Sequence, residues 1–154
     1  MSFTPESFAS MIRGLAEDLA NDPLDKEQDE MTGRVRDSVI DNFNDEVDYD
    51  GATWEPRKRD YDHDPLRETF AMFGAATVKG APGSIEVKSR EEVVMGVSTD
   101  EIEYAAAQNY GHDESNLPAR EYMFIREEHQ SKLDEVALDG IGRVVDESIE
   151  KHSR

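Results

Sequence analysis

The sequence predicts an α+β fold: a small antiparallel sheet packed against helices, with an N-terminal helical hairpin and a C-terminal helix. Three observations lead there. Apolar residues recur at three- and four-residue spacing near both ends of the chain. Two short β-type runs, SIEVK at 84–88 and EVVMGV at 92–97, follow the turn cluster KGAPGS. The length, 154 residues, suits one domain with a real core.

Taken in order, Thr4 and Pro5 form a helix start. Phe8, Met11, Ile12, Leu15 and Leu19 give its stripe, and Asn-Asp-Pro at 21–23 stops it. Asp25 and Gln28 match a capping box for a second helix, striped by Met31, Val35, Val39 and Phe43. Residues 44–65 predict a long acidic loop holding the single Trp. Residues 66–78 fit a short helix or a helix passing into a strand. The two β runs come next, joined by SREE. Residues 99–109 open on Thr-Asp-Glu and end at Gly111, a helix pattern. REYMFI at 120–125 predicts a strand or extended segment, apolar on both faces as in a covered strand. The final helix, 127–149, carries Leu133, Val136, Ala137, Ile141, Val144 and Val145 on its apolar side.

Charge narrows the function. Thirty-six acids oppose seventeen bases, a net charge of -19. Such a surface repels phosphate backbones and argues against a nucleic-acid-binding module. Leu, Ile, Val and Phe number only 31, near the level at which a highly charged chain stays unfolded. Their ordered periodicity argues instead for a folded protein. Acids spread along the whole chain, with six lysines against eleven arginines, suit the hydrated surface of a protein from a salt-loving host. There is no membrane-length apolar run and no basic-then-apolar leader, so the expected place is the cytosol or a particle assembled there. With no cysteine, thiolate catalysis and Cys-based zinc sites are excluded.

Catalytic patterns are thin. Glu46, Asp48, Asp50 and Gly51 resemble the start of a calcium loop, but its twelfth position is Arg57, where a chelating glutamate belongs. Asp60, Asp62, His63 and Asp64 could hold a divalent ion, and a metal-dependent hydrolase built on them is one alternative. In so acidic a chain, such a cluster is expected as plain surface. No histidine pair has zinc-helix spacing, and paired carboxylates of glycosidase type do not stand out among so many acids. GAPGS lacks the Lys-Ser/Thr of a phosphate loop, and Asp100 stands where a nucleophile elbow needs glycine. We therefore expect no enzyme and no cofactor. Trp54 reads equally as a core anchor, packing the loop onto the sheet, or as an interface anchor. Arg120 is expected to make a bidentate pair with a carboxylate.

One order of residues goes further. Asp50-Gly51-x-x-Trp54-x-Pro56 is followed by Leu66-x-x-Thr69, then Tyr104-Ala105-x-x-Gln108-x-x-Gly111, then Leu117-Pro118-Ala119-Arg120 and an apolar run. This order, spanning about residues 26–150, resembles the phage virion morphogenesis family, which includes tail-completion proteins of Mu-like phages. Ala107, Phe70 and Glu121 depart from its usual residues, respectively a His before the Gln, a Gly after the Thr and a Pro after the Arg.

The resemblance implies a non-enzymatic subunit of a ring, often a hexamer, at the head-proximal end of a tail. The ring would end tail growth and join tail to head. Its partners would be further copies of itself, the tail tube protein and a connector or portal-side protein. A head-side connector ring is the nearest alternative. Genomic DNA would pass an acidic lumen without specific binding. The place would be the virion neck; combined with the acidic composition, the expected source is a tailed virus or provirus of a halophilic, archaeal host. Expected subunit or partner contacts are Trp54, Arg57, Tyr104, Gln108, Tyr110, Arg120, Tyr122 and Phe124.

Overall fold

The computed structural model describes residues 5–22, 24–56, 70–89 and 92–152. It is α+β, as the sequence predicts. Helix α1 is Pro5–Asn21 and α2 is Asp25–Asp45. Short α3, Ala71–Thr77, leads into the hairpin of β1, Ser84–Lys88, and β2, Val93–Val97. Short α4, Ala105–Tyr110, and a 3₁₀ turn at Asp113–Ser115 precede the long α5, Glu127–His152. No helix among the described residues is long and apolar enough to cross a membrane.

The sheet has two antiparallel strands, with Ser84 opposite Val97 and Lys88 opposite Val93. It rests on α2 and α3, while α5 packs along α2 on one side and α1 on the other. The core centres on Phe43 of α2. Its ring meets Trp54 edge-on at 6.0 Å, Phe73 edge-on at 5.1 Å and Tyr122 tilted at 5.0 Å. Met72, Ala75 and Ile102 close the cluster. Trp54 is thus a core residue, packed edge-on against Phe43 of α2.

Several local expectations change. Asp25 and Gln28 do not form a capping box. Leu24 takes the left-handed conformation (φ 51°), and its N–H donates to the Asp22 carboxylate at 2.9 Å. Asp22 therefore organises the tight connector, and Gln28 Nε2 instead donates to the Ser89 carbonyl at 2.8 Å. The helix expected over 99–109 begins only at Ala105. Turns from Ser98 to Ile102 and from Ile102 to Ala105 precede it, and they insert Ile102 into the core. Residues 120–125 are extended but pair with no strand. The ambiguous 66–78 stretch is helical over Ala71–Thr77 and extended at Val78; residues 66–69 lie outside the described residues, as does Thr4.

Two helical glycines set how closely α5 approaches its neighbours. A Cβ on Gly140 would meet Glu27 Cγ at 2.6 Å, and one on Gly14 would meet the His152 ring at 2.6 Å. Both open the way to ion pairs. Arg143 bridges Glu27 at 3.1 Å and Asp22 at 3.2 Å, and both carboxyls are held below their ordinary values, first by its hydrogen bonds. Asp18 takes Lys151 at 2.8 Å and His152 at 3.0 Å. The Lys151 hydrogen bond is the main reason the Asp18 carboxyl falls to about 2.

Gly140→Ala should destabilise the fold by ~1–2 kcal/mol, because the forced shift of Glu27 outweighs the helix-propensity gain. A Cβ on Gly142, also in α5, would meet nothing within 4 Å, so Gly142→Ala should stabilise by ~0.5–1 kcal/mol. Chemical denaturation in high salt reads both, and equal signs would refute the close approach. Acid titration tests the α1–α5 latch. The folded value of Asp18 lies below its unfolded value, so the unfolded chain binds the proton first as pH falls. Its contribution should be complete above about pH 4 and fade as pH falls toward 2. Asp18→Asn should flatten that limb of the melting-temperature profile.

Candidate assembly surface

Between α4 and α5 the chain turns back into a segment, Arg120–Arg126, that pairs with no strand. Gly111 ends α4 at φ 79°, where a side chain would press on the Ala119 nitrogen at 3.0 Å. The chain then closes a small loop, with His112 and Leu117 exchanging main-chain hydrogen bonds, and doubles back. From Arg120 onward, other groups supply the missing ladder. The Gln108 carbonyl accepts the Arg120 N–H at 2.8 Å. Asn109 Oδ1 accepts the N–H groups of Tyr122 at 3.0 Å and Met123 at 3.1 Å. From the other side, Asn42 Nδ2 donates to the carbonyls of Tyr122 at 3.0 Å and Phe124 at 2.9 Å. Ser38 Oγ accepts the Arg126 N–H at 2.9 Å. Arg126 then locks the clamp, Nε to Asn42 Oδ1 at 2.7 Å and Nη1 to Asp45 at 2.6 Å. These partners satisfy buried main-chain groups that would otherwise be costly.

This construction sorts the expected contact residues. Trp54, Arg120 and Tyr122 are buried inside the subunit. Tyr122 donates its hydroxyl to the Ala105 carbonyl at 3.2 Å, and burial pushes the phenol well above its ordinary value. Arg120 Nη2 donates to the Glu55 main-chain carbonyl at 3.1 Å, a bond that ties the loop after Trp54 to the core. Gln108 and Phe124 are half-buried, and Phe124 stacks edge-on with Tyr49 at 5.9 Å. Tyr104 and Tyr110 are exposed, Tyr110 by 76%. Of the eight, then, Tyr104 and Tyr110 present most surface, while the buried three shape what surrounds it. Arg57 and the 60–64 acidic cluster lie outside the described residues.

The calcium-like stretch has another use for its acids. Asp48 Oδ1 accepts the N–H groups of Asp50 at 3.1 Å and Ala52 at 2.9 Å, and a bridge between Val47 and Thr53 closes the loop. Asp48 is thereby turned onto its own backbone, an Asx-type turn rather than a calcium ligand. One group among the described residues has metal-ligand proximity: Asp41, Glu128 and His129. Its members come from α2 and α5, so sequence spacing gave no sign of it. His129 Nε2 already meets Asp41 at 3.0 Å.

The hairpin carries the surface that sequence periodicity missed. β1 is turned inside out. Glu86 and Lys88 face the body, where Glu86 pairs with Arg36 of α2, and Lys88 with Asp29. Burial pushes the Glu86 carboxyl up, but hydrogen bonds from Arg36 and Lys88 outweigh it and hold it below its ordinary value. Ile85, Val87 and Val94 face outward, and Val87 stands opposite Val94 in register. A one-residue slip would have buried these residues. The hairpin thus has an apolar outer face over a charged inner one. Exposed Leu138, Ile141 and Ile149 on α5 add a second apolar tract.

Sequence comparison matches the chain to the phage virion morphogenesis family over residues 6–141. The chain belongs to this family. The match reaches twenty residues further toward the N-terminus than the motif order that first pointed there, and so takes in α1. No curated protein and no solved structure matches the chain. Membership makes this a structural protein of the phage virion, and apolar patches on so charged a subunit fit a part that works in an assembly.

Two substitutions separate clamp from surface. Asn42→Ala should cost ~2–4 kcal/mol, since it strips two buried carbonyls and Arg126 of partners. Val87→Thr should leave stability within ~0.5 kcal/mol, because Val87 is 59% exposed. Urea titration in high salt measures both, and a neutral Asn42→Ala would show that the segment does not depend on the clamp.

Proposed function

We propose that the protein is a tail-completion subunit. Copies form a ring at the head-proximal end of the tail, end its growth and join it to the head. The family match across 136 residues carries this reading, and the uncovered apolar faces of the hairpin and α5 support it. The ring is non-enzymatic and needs no cofactor. Its partners are its own copies, the tail tube protein on one side and a connector on the other. Ring contacts of this kind run head to tail and close by rotation. The net charge of -19 supports a lumen that lets DNA slide past, and a virus whose host keeps high internal salt.

The test is genetic and biochemical together. A virus lacking this gene should yield filled heads and tails that stay unjoined, or tails of uncontrolled length. Added purified protein should restore joining in extracts held at multimolar potassium chloride. Pull-down should recover the tail tube protein. Recovery of only a portal-bound protein would move the ring to the head side, and intact infectious particles without the gene would refute the proposal.

A further inference from the structure

The two ends of α5 are not alike. α1 runs antiparallel to it, with Asp22 beside Arg143, Asp18 beside Lys151 and Gly14 beside His152. The described part of α5 ends at His152, level with Gly14. Residues 5–13 of α1 therefore run on past the end of α5, for ~13 Å at 1.5 Å per residue. This overhanging arm carries Phe8, 51% exposed, and Ile12, 45% exposed, on one face. In a chain of net charge -19, residues 5–13 hold one acid, Glu6, and one base, Arg13. Arg13 is exposed and makes no ion pair among the described residues.

At the opposite end of α5 lies an apolar groove of about 600 Å³, between α2, β2 and the 123–125 segment. Its walls include Met31, Val35, Val93, Met95, Met123 and Leu133. Methionine walls adapt to the shape of an incoming side chain. A cavity of ~150 Å³ is the size that one large apolar side chain leaves, so the groove has room for about four. The arm presents Phe8 and Ile12, two such side chains, with Met11 half-buried beside them. The rim adds Glu92 and Asp134, carboxylates suited to a cation such as Arg13.

The arm cannot reach the groove of its own subunit. The groove borders α5 at Gln130–Ala137, and the arm leaves α5 beyond His152, ~20 Å further along the axis and pointing away. We propose that the N-terminal arm of α1 docks in the α2–β2–α5 groove of a second copy. Each subunit then offers one arm and one groove, and the contact repeats head to tail. The inference rests on the ring reading only in requiring a second copy.

The chain has no cysteine, so single cysteines report unambiguously. Full-length Phe8→Cys is mixed with full-length Met95→Cys in multimolar potassium chloride and mildly oxidised. We expect a disulfide-linked heterodimer, at least several-fold above a Phe8→Cys and Val87→Cys mixture. The double variant Phe8→Glu, Ile12→Glu should fall from the wild-type oligomer mass to the monomer by light scattering, with its far-ultraviolet circular dichroism retained. Preferential linkage to Val87→Cys would place the arm on the hairpin face instead and overturn the proposal. Wild type and arm variant assembling alike would overturn the arm contact while leaving the ring reading intact. A wild type that stays monomeric at high concentration would remove both.

Discussion

Asn42 is the residue on which the architecture turns. It sits on α2, wholly buried, and its one amide serves three groups: two carbonyls of the 122–124 backbone and the guanidinium of Arg126. Asn109 grips the same segment from α4 through its N–H groups. An extended segment this apolar needs its main-chain groups paired before it can be buried. With both asparagines in place, Tyr122 can be driven against Phe43 and complete the aromatic core. The clamp also fixes where α5 begins, because Arg126 stands immediately before it and is tied to Asn42 and Asp45. The position of α5, and hence of α1, follows from that anchor.

From there outward the fold is held increasingly by ion pairs and less by apolar packing. Phe43, Met72 and Tyr122 are almost fully buried around the clamp, whereas at the α1–α5 end the contacts are Asp22–Arg143 and Asp18–Lys151. Exposed pairs of this kind are each weak and are screened by salt. The gradient leaves α1 fastened to α5 by ion pairs over its C-terminal half. An element held in this way can adjust its angle to a partner at small cost, which suits a segment at the edge of an assembly.

The sequence carried most of the helical plan, because stripes of Val39–Phe43 and Leu133–Val144 type are strong one-dimensional signals. The β1 and β2 runs were legible too, but the orientation of the hairpin was not. Alternation in SIEVK marks two faces without saying which one is inward, and the usual assumption that Ile85 and Val87 point in is reversed here by the buried Glu86–Arg36 pair. The extended 120–125 segment was recognised, yet its partner was not, since its ladder comes from Asn109, Asn42 and Ser38, between 13 and 88 residues away in sequence. Polar residues inside a helical stripe look like surface until the backbone they serve is known. The resemblance that led to the family identified motif residues as contacts, whereas Trp54, Arg120 and Tyr122 prove to be interior supports.

The charge and the apolar patches act on each other. At low ionic strength the Debye length is long compared with the spacing of surface groups, so two subunits of charge -19 repel before any apolar contact forms. In multimolar salt that length falls to ~3 Å or less, and the repulsion between exposed carboxylates at any larger separation largely vanishes. The hydrophobic attraction between Ile85, Val87 and Val94 and whatever covers them is not screened, and excluded salts strengthen it. If copies assemble as proposed, the same surface would hold them apart in dilute solution and let them associate in brine. The buried clamp, by contrast, is shielded from bulk ions, so the subunit's own fold should depend on salt less steeply than its assembly does.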